Sequence, residues 1–221
     1  AMVGKIMVID DLADRQHDCD LILDQNFYLE PESRYEKLVP VKSARLLGQH
    51  YALLRPEFHE LRNQIRSRDG VVKNILVFFG GVDATNETSK TIRAIATLGR
   101  DDLTVTVVVG SGNLHQQEVR GLCEELNNVS FHCQVSNMAE LIANADLAVG
   151  AGGSVTWERL CLGLPALVIS IADNQTAIAE DCGRSGLHVY LRQASDVSQT
   201  VLAAALQTAL QSPALLMNLS M

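Results

Sequence analysis

Runs of apolar residues, many of them β-branched, recur from about residue 73 onwards and alternate with stretches whose apolar positions repeat every three to four residues. The runs are nearly continuous, which is typical of parallel strands covered on both faces. They predict six strands: Ile75–Phe79, Thr104–Val109, Val129–Cys133, Leu147–Val149, Ala166–Ile171 and His188–Leu191.

The stretches between these strands predict amphipathic helices. One helix is expected to start at Ser154, whose hydroxyl can cap it, and to end at Gly163-Leu164-Pro165. The last helix is expected to be capped by Ser195 and to end near Pro213.

Strands that alternate with helices pair in parallel through right-handed crossovers. The sequence therefore predicts an α/β fold with a doubly wound, six-stranded parallel sheet in the order 3-2-1-4-5-6. Ligands of such sheets bind beyond the carboxyl ends of strands 1 and 4, where the strand order reverses.

The first 70 residues follow a different pattern. Lys5–Ile9 and Leu21–Leu23 predict two short strands, and Leu29–Leu47 predicts a loop or irregular helix. Pro56–Gly70 predicts an exposed helix that carries Arg62, Arg66 and Arg68. Two strands are too few for an independent α/β domain. We therefore divide the chain into a partial N-terminal lobe (1–55), a linker helix (56–72) and the sheet domain (73–221).

The composition narrows the classes of function. The chain has 221 residues, 47% apolar and 20% charged, with a formal net charge of −8. An acidic chain is not expected to bind nucleic acid or an anionic membrane surface, since both need a basic face. No apolar run approaches the roughly 20 residues of a membrane-spanning helix. Five cysteines without C-x-x-C spacing predict reduced thiols, no zinc site and a cytoplasmic location.

A glycine-rich loop, Gly150-Ala151-Gly152-Gly153-Ser154, follows the fourth predicted strand. Glycines let backbone N–H groups approach an anion closely. The loop is not a G-x-G-x-x-G fingerprint, because Val155 occupies the third position, and no Gly-Lys-Ser/Thr of a P-loop follows. It is predicted to hold a diphosphate; the alternative is a tight turn without a ligand. Glu158, one helical turn further on, could accept both hydroxyls of a ribose, or be a solvated glutamate favoured by the helix dipole.

A second glycine pair, Gly80-Gly81, follows the first strand of the sheet and is expected to face the first loop across the crevice. Asp83 and Asn86 would border this cavity, although Thr85 or Asn86 could simply cap the next helix.

Two further pairs of polar residues are candidates. Asn174 and Gln175 follow the fifth strand and are predicted to face the same crevice, with helix capping as the alternative for Asn174. Asp10 and Asp11 end the first strand, but no partnering acid or histidine motif accompanies them, so we predict no metal site.

The front half of the chain carries three segments with a family resemblance: Ile9–Arg15, Asp20–Asn26 and Tyr51–Phe58. Together with the two glycine loops, they resemble the UDP-2,4-diacetamido-2,4,6-trideoxy-β-L-altropyranose hydrolases of the pseudaminic acid pathway. The glycine loop with Glu158 is shared more widely, with the lipid-linked N-acetylglucosaminyltransferases of peptidoglycan synthesis.

The resemblance implies a glycosyltransferase-B-like fold whose C-terminal domain binds UDP. The implied UDP-binding residues are Gly152, Gly153, Ser154, Val155 and Glu158, and the implied sugar-side residues are Gly80, Gly81, Asp83, Asn174 and Gln175. The family reaction is hydrolysis at the anomeric carbon with inversion and loss of UDP, with a histidine as general base. It serves flagellar and other surface glycans, uses no cofactor, and has UDP or a UDP-sugar as its partner.

The sequence departs from the family at the catalytic histidine, which the family carries in an early Gly-x-Gly-His loop. No such loop occurs here, and His17, in Arg15-Gln16-His17-Asp18, does not match it. We therefore expect the chain to begin part-way through the family's N-terminal domain and to be inactive, because water activation and sugar positioning would both fail. The exposed strand edges of a partial lobe predict a homodimer.

Two other functions stay open at this stage. A glycosyltransferase of the same fold would pass the sugar to an acceptor instead of water. A non-catalytic nucleotide-sugar-binding module would bind the donor without turnover, as the missing histidine loop favours.

Overall fold

The computed structural model describes residues 4–220. The chain divides into two compact units, residues 1–54 and 55–221.

The first unit contains a parallel sheet of three short strands, in the order β1-β2-β3. These strands are β1 (Met7–Ile9), β2 (Leu21–Asp24) and β3 (Ala44–Leu47). Helix α1 (Pro31–Tyr35) starts with proline at its first turn, and a 3₁₀ turn spans Gln49–Tyr51.

The prediction of a loop or irregular helix over Leu29–Leu47 is wrong at its end, where β3 forms. Only four residues long and with Arg45 in its middle, β3 lacks a recognisable apolar run. Its backbone pairs with β2, in the register Leu21↔Ala44 to Asp24↔Leu47. Pairing of this kind depends on the partner strand and leaves little signal in so short a segment.

The second unit confirms the predicted sheet. Its six parallel strands follow the order β6-β5-β4-β7-β8-β9, which is 3-2-1-4-5-6 counted within the unit. The strands are β4 (Asn74–Phe78), β5 (Thr104–Val109), β6 (Val129–Cys133), β7 (Leu147–Ala151), β8 (Ala166–Ser170) and β9 (Val189–Gln193). Two neighbouring inner strands, β7 and β8, are buried along their whole length, as near-continuous apolar runs predict.

Helices lie before, between and after these strands, and the apolar side chains of several of them form one core with the sheet. They are α2 (Pro56–Arg62), α3 (Glu87–Ala96), α4 (Gln116–Glu124), α5 (Met138–Asn144), α6 (Val155–Cys161), α7 (Asp173–Arg184), α8 (Gln199–Leu210) and α9 (Pro213–Leu219).

The end of the chain differs from the prediction at one cap. Helix α8 is capped by Ser198, whose hydroxyl accepts a hydrogen bond from the Val201 N–H at 3.2 Å, and not by Ser195. A further helix, α9, begins at Pro213. Within residues 4–220 no single helix is long and apolar enough to cross a membrane; only α8 and α9 taken together, bent by 90°, reach that length and composition.

The expected exposed helix over Pro56–Gly70 is corrected in two respects. Helix α2 ends at Arg62, and the following segment carries Arg68 into the interior, where it is 7% exposed. The Arg68 guanidinium donates five hydrogen bonds of 2.7–3.3 Å to backbone carbonyls near the ends of α5 and α6. The acceptors are the carbonyls of Ile142, Ala143, Ala145, Leu162 and Gly163. One buried cation therefore satisfies carbonyls at two helix C-termini, where the dipoles favour positive charge.

Candidate functional site

A cavity of about 300 Å³ lies at the carboxyl ends of the sheet strands in the second unit. This is near the lower end of the range of roughly 300–1,000 Å³ that small-ligand pockets occupy. The cavity lies where the strand order reverses, since Phe78 of β4 pairs with Gly150 of β7 at this edge. Its lining residues are Arg55, Phe78, Gly81, Val108, Val109, Gly110, Gln134, Val135, Met138, Ser154, Val155 and Glu158.

Four of the residues singled out from the sequence line this cavity together: Gly81, Ser154, Val155 and Glu158. They come from the loop after β4 and from the start of α6, two segments far apart in sequence. The topological rule for doubly wound sheets brings these segments together. The other predicted residues lie outside the lining, and the contacts of most of them show why.

Packing within the protein excludes a side chain at one glycine of the loop and crowds it at a second. A Cβ on Gly150 would lie 2.3 Å from the Phe78 carbonyl oxygen, and one on Gly152 would lie 3.2 Å from the Ala179 side chain. At Gly153 a Cβ would meet only the Gln175 amide nitrogen, at an ordinary 3.6 Å. Among these three glycines, only Gly153 could therefore carry a Cβ without a close contact in the protein.

The start of α6 differs in detail from the predicted cap. Ser154 stands at the N-cap position, but its backbone is already helical (φ −56°, ψ −28°) and its side chain makes no capping hydrogen bond. A capping side chain requires extended backbone at that residue. Ser154 is exposed and lines the cavity.

Glu158 places a half-buried carboxylate in the cavity wall, with its side chain 23% exposed. Burial raises the pKa of Glu158, while the nearby guanidinium groups of Arg55 and Arg159 act in the opposite direction. Arg55 Nη2 lies 3.7 Å from Glu158 Oε1. Arg55 is itself held by Glu57, at 2.9 Å, and stacks over the Phe58 ring at 5.3 Å.

Asp83 has a structural task in this protein. It is 2% exposed, and its two carboxylate oxygens accept 2.9 Å hydrogen bonds from the N–H groups of Glu87 and Thr88 at the start of α3. Asn86 adds a weaker bond from the Ser89 N–H, at 3.4 Å. The prediction that Asn86 could cap this helix is confirmed, and the Asp83 carboxylate, predicted to face the sugar, also accepts hydrogen bonds at the helix start.

The other sugar-side residues lie around the loops without lining the cavity. Gly80 adopts a left-handed conformation (φ +88°). Asn174 is exposed in the first turn of α7, and the helix starts one residue before it, so Asn174 is not the cap. Gln175 accepts a 3.2 Å hydrogen bond from the Ile171 N–H and lies against Gly153. Their role towards a sugar stays a prediction.

The sequence reasoning missed one wall of the cavity. Gln134, Val135 and Met138 follow β6 at the same edge of the sheet, and Val108 and Val109 end β5. The topological rule that selected the loops after β4 and β7 covers these strand ends as well. Gln134 has a left-handed backbone (φ +55°), which is uncommon for a residue other than glycine.

The paired acids of the first unit also have structural contacts. Asp10 Oδ2 accepts hydrogen bonds from the Ala13 N–H at 3.1 Å and from the Tyr35 hydroxyl at 3.2 Å, and it lies 3.4 Å from His17 Nε2. Burial acts to raise the pKa of Asp10, but these hydrogen bonds outweigh it and lower the pKa. Asp11 is exposed. In residues 4–220 no three histidine, cysteine, aspartate or glutamate side chains cluster as metal ligands would.

A doubly wound parallel sheet of this order, flanked by helices and with a cavity beside its reversal point, is the architecture of one half of a glycosyltransferase-B fold. Residues 74–219 match the glycosyltransferase family 28 C-terminal domain, and the chain belongs to that family.

Two curated proteins and one solved structure show how far the similarity extends. The chain is 33% identical over 140 residues to the spore coat polysaccharide biosynthesis protein SpsG of Bacillus subtilis, covering 63% of this chain and 41% of that protein. It is 25% identical over 185 residues to the UDP-2,4-diacetamido-2,4,6-trideoxy-β-L-altropyranose hydrolase of Campylobacter jejuni, covering 84% and 64%. The fold is similar to that of MurG from Acinetobacter baumannii, with a TM-score of 0.60 at 19% identity, covering 90% of this chain and 60% of that one. The chain thus spans 41% to 64% of the length of these proteins.

Proposed function

We propose that the cavity of the second unit binds the UDP part of a UDP-sugar, and that the protein acts in surface-polysaccharide biosynthesis. The observation that carries this proposal is the placement of Glu158. It is a half-buried carboxylate in the wall of a cavity that is lined by both apolar and polar residues and lies at the point where the strand order reverses.

Each wall of the cavity suits one part of the nucleotide. Val108, Val135 and Met138 offer an apolar surface on which a pyrimidine ring can pack. Glu158, when ionised, has four lone-pair sites and can accept hydrogen bonds from both ribose hydroxyls. The backbone at Gly153 and Ser154 is open enough for phosphate oxygens to approach its N–H groups closely.

We further propose that the protein's reaction is hydrolysis of the UDP-sugar at the anomeric carbon. Water forms a bond to that carbon and gives up a proton to a base, the bond from the carbon to the diphosphate oxygen breaks, and UDP leaves with both electrons of that bond. Support comes from the similarity to the Campylobacter hydrolase over 84% of this chain. Among the residues that line the cavity there is no histidine to act as general base. We therefore assign the residues of the cavity the binding step, and the base that takes the proton of the water must come from outside this lining.

A glycosyltransferase is the second candidate, and the match of residues 74–219 to a glycosyltransferase domain favours it. Both candidates share the UDP site and differ in what attacks the anomeric carbon. Release of UDP from the donor in water alone would support hydrolysis, whereas release that depends on an added sugar or lipid acceptor would support transfer. A third reading, a binding module without turnover, predicts neither.

Calorimetric titration with UDP tests the shared proposal. We expect UDP to bind, uridine to bind more weakly and adenosine diphosphate to bind least. Glu158→Gln is expected to lower the affinity for UDP about tenfold, the cost of a lost charge-assisted hydrogen bond. Glu140→Gln, an exposed change on α5, is the matched control and should leave the affinity unchanged. A folded protein that does not bind UDP would refute the site.

A further inference from the structure

Beneath the glycine loop lies a buried arginine that the sequence analysis did not single out. Arg159, on α6, is 3% exposed. Its Nη1 and Nη2 atoms both donate to the Ala151 carbonyl oxygen at 3.2 Å, and Nη2 also donates to Thr156 Oγ1 at 3.2 Å. A Cβ on Gly150 would lie 3.2 Å from Arg159 Nη1. The guanidinium therefore lies directly against the backbone of the loop.

The charge of Arg159 has no ion-pair partner in the described part of the chain. Both of its hydrogen-bond acceptors are neutral groups, and the half-buried carboxylate of the neighbouring Glu158, which acts on it through space, already lies beside Arg55. Burial lowers the pKa of Arg159 to about 10, so that the side chain is still charged at pH 7. A buried cation without a close ion pair costs folding free energy, and buried charges in proteins are usually paired. An anion bound on the other side of the loop would add negative charge close to the guanidinium.

We infer that Arg159 is a positioning residue of the diphosphate subsite. Its guanidinium holds the Ala151 carbonyl on the inner side of the loop and supplies positive charge beneath the place where the phosphates bind. This inference rests on the proposed binding of UDP. It adds that attraction for the phosphates comes from a fixed, buried charge and not from surface lysines or arginines. Such a charge is poorly screened by salt, in contrast to an exposed one.

The inference predicts a loss of affinity that grows with the charge of the ligand. Arg159→Gln removes the charge and keeps an amide that can donate to Ala151. It is expected to weaken UDP binding about tenfold, UMP binding less, and uridine binding within twofold. Arg159→Lys keeps the charge and should keep most of the preference for UDP over uridine. Arg184→Gln removes an exposed arginine of α7 and is the control, with all three affinities unchanged.

Calorimetric titration of UDP, UMP and uridine into each variant measures these ratios, with circular dichroism to check folding. Equal losses for UDP and uridine in Arg159→Gln would overturn the inference, because a purely structural role would disturb the whole cavity. Unchanged UDP binding in a folded Arg159→Gln would overturn it too. If Arg159→Gln does not fold, Arg159→Met, a neutral residue of similar length, takes its place. If neither variant folds even with saturating UDP, the guanidinium serves the fold alone and the inference is wrong. Failure of the proposed function is distinct: the unsubstituted protein would not bind UDP.

Discussion

Arg55 Nη2 lies 3.7 Å from Glu158 Oε1, so the carboxylate in the cavity wall has a cation beside it. Burial and the Arg55 guanidinium have opposite effects on the protonation of this carboxylate. Burial raises the pKa of Glu158, and Arg55 acts to lower it. Arg55 is about half exposed, which makes its influence sensitive to salt.

The first prediction concerns the pH dependence of nucleoside binding. Only the ionised carboxylate accepts from both ribose hydroxyls, so affinity should be full above the Glu158 pKa and fall as pH decreases through it. The raised pKa puts this loss at a higher pH than for an ordinary glutamate. Uridine is the probe, because it has no phosphate that titrates in the same range. Its affinity is measured by calorimetry between pH 8 and pH 4.

Two variants give this prediction its controls. Glu158→Gln should bind uridine weakly and with no pH dependence in that range. Arg55→Gln removes the cation and should move the loss of affinity to higher pH. A pH profile that is the same in the unsubstituted protein and in Glu158→Gln would show that another group titrates.

The second prediction separates the glycines of the loop. Gly153→Ala adds a methyl group that meets only ordinary contacts in the protein, so stability should change by less than about 1 kcal/mol. If phosphate oxygens approach the backbone here, the same methyl group should weaken UDP binding about tenfold. Gly121→Ala, in helix α4 with open space around it, is the control. It should gain about 0.5–1 kcal/mol of stability, by urea unfolding, and bind UDP normally. Normal UDP affinity in Gly153→Ala would place the phosphates elsewhere.

The third prediction concerns Arg68 and the ends of α5 and α6. Arg68→Met removes a buried cation and leaves five carbonyl groups without their donor. We expect a loss of about 3 kcal/mol in the free energy of unfolding, the range for buried polar groups that lose their partner. Arg184→Met, an exposed arginine near the end of α7, should change stability by less than about 0.5 kcal/mol. Urea denaturation measures both. A loss in Arg68→Met no larger than in the control would show that the helix ends find other donors.

The fourth prediction concerns acid stability. Asp146 accepts hydrogen bonds from the Lys73 N–H at 2.9 Å and the Asn74 N–H at 2.8 Å, and it pairs with Arg66. Burial acts to raise the pKa of Asp146, but these partners outweigh it and lower the pKa. A carboxyl with a lowered folded-state pKa stabilises the protein above the unfolded-state pKa of about 3.9, and that contribution is lost as pH falls through the folded value.

Asp146→Asn should therefore be less stable than the unsubstituted protein at pH 7, and the difference should shrink at pH 3. Urea denaturation at the two pH values measures it. Asp101→Asn, at an exposed loop position, is the control and should show no such convergence. A stability difference that stays constant from pH 7 to pH 3 would contradict the assigned role of the carboxylate.

The sheet of the second unit could be predicted from the sequence because its strands are long, apolar runs separated by helical periodicity. The strand order was predicted from the common order of doubly wound sheets, and the place of the cavity followed from it. The loops after β4 and β7 were found because glycines mark them. The wall formed by Val135 and Met138 could not be predicted in this way, because apolar residues after a strand are equally typical of the hydrophobic core.

Other misses come from contacts that no local pattern encodes. β3 exists through its pairing with β2, and Arg68 is buried because distant carbonyls surround it. The position of Asp83 after the first strand of the sheet predicts a place beside the cavity, and its role towards a sugar stays a prediction. The sequence does not indicate its two hydrogen bonds to the start of α3, which it accepts from a left-handed backbone position with φ +46°.

The hydrogen bonds of Arg68 join residues 74 to 95 positions apart in the chain. Contacts of such separation are slow to form, because a long loop must close first. We therefore expect the C-terminal ends of α5 and α6 to acquire their final geometry late in folding. In the native protein, we expect release of Arg68 to free these helix ends without melting the sheet. Amide hydrogen exchange tests this order: α5 and α6 should exchange through a smaller opening than β7, and Arg68→Met should speed exchange in the helices first.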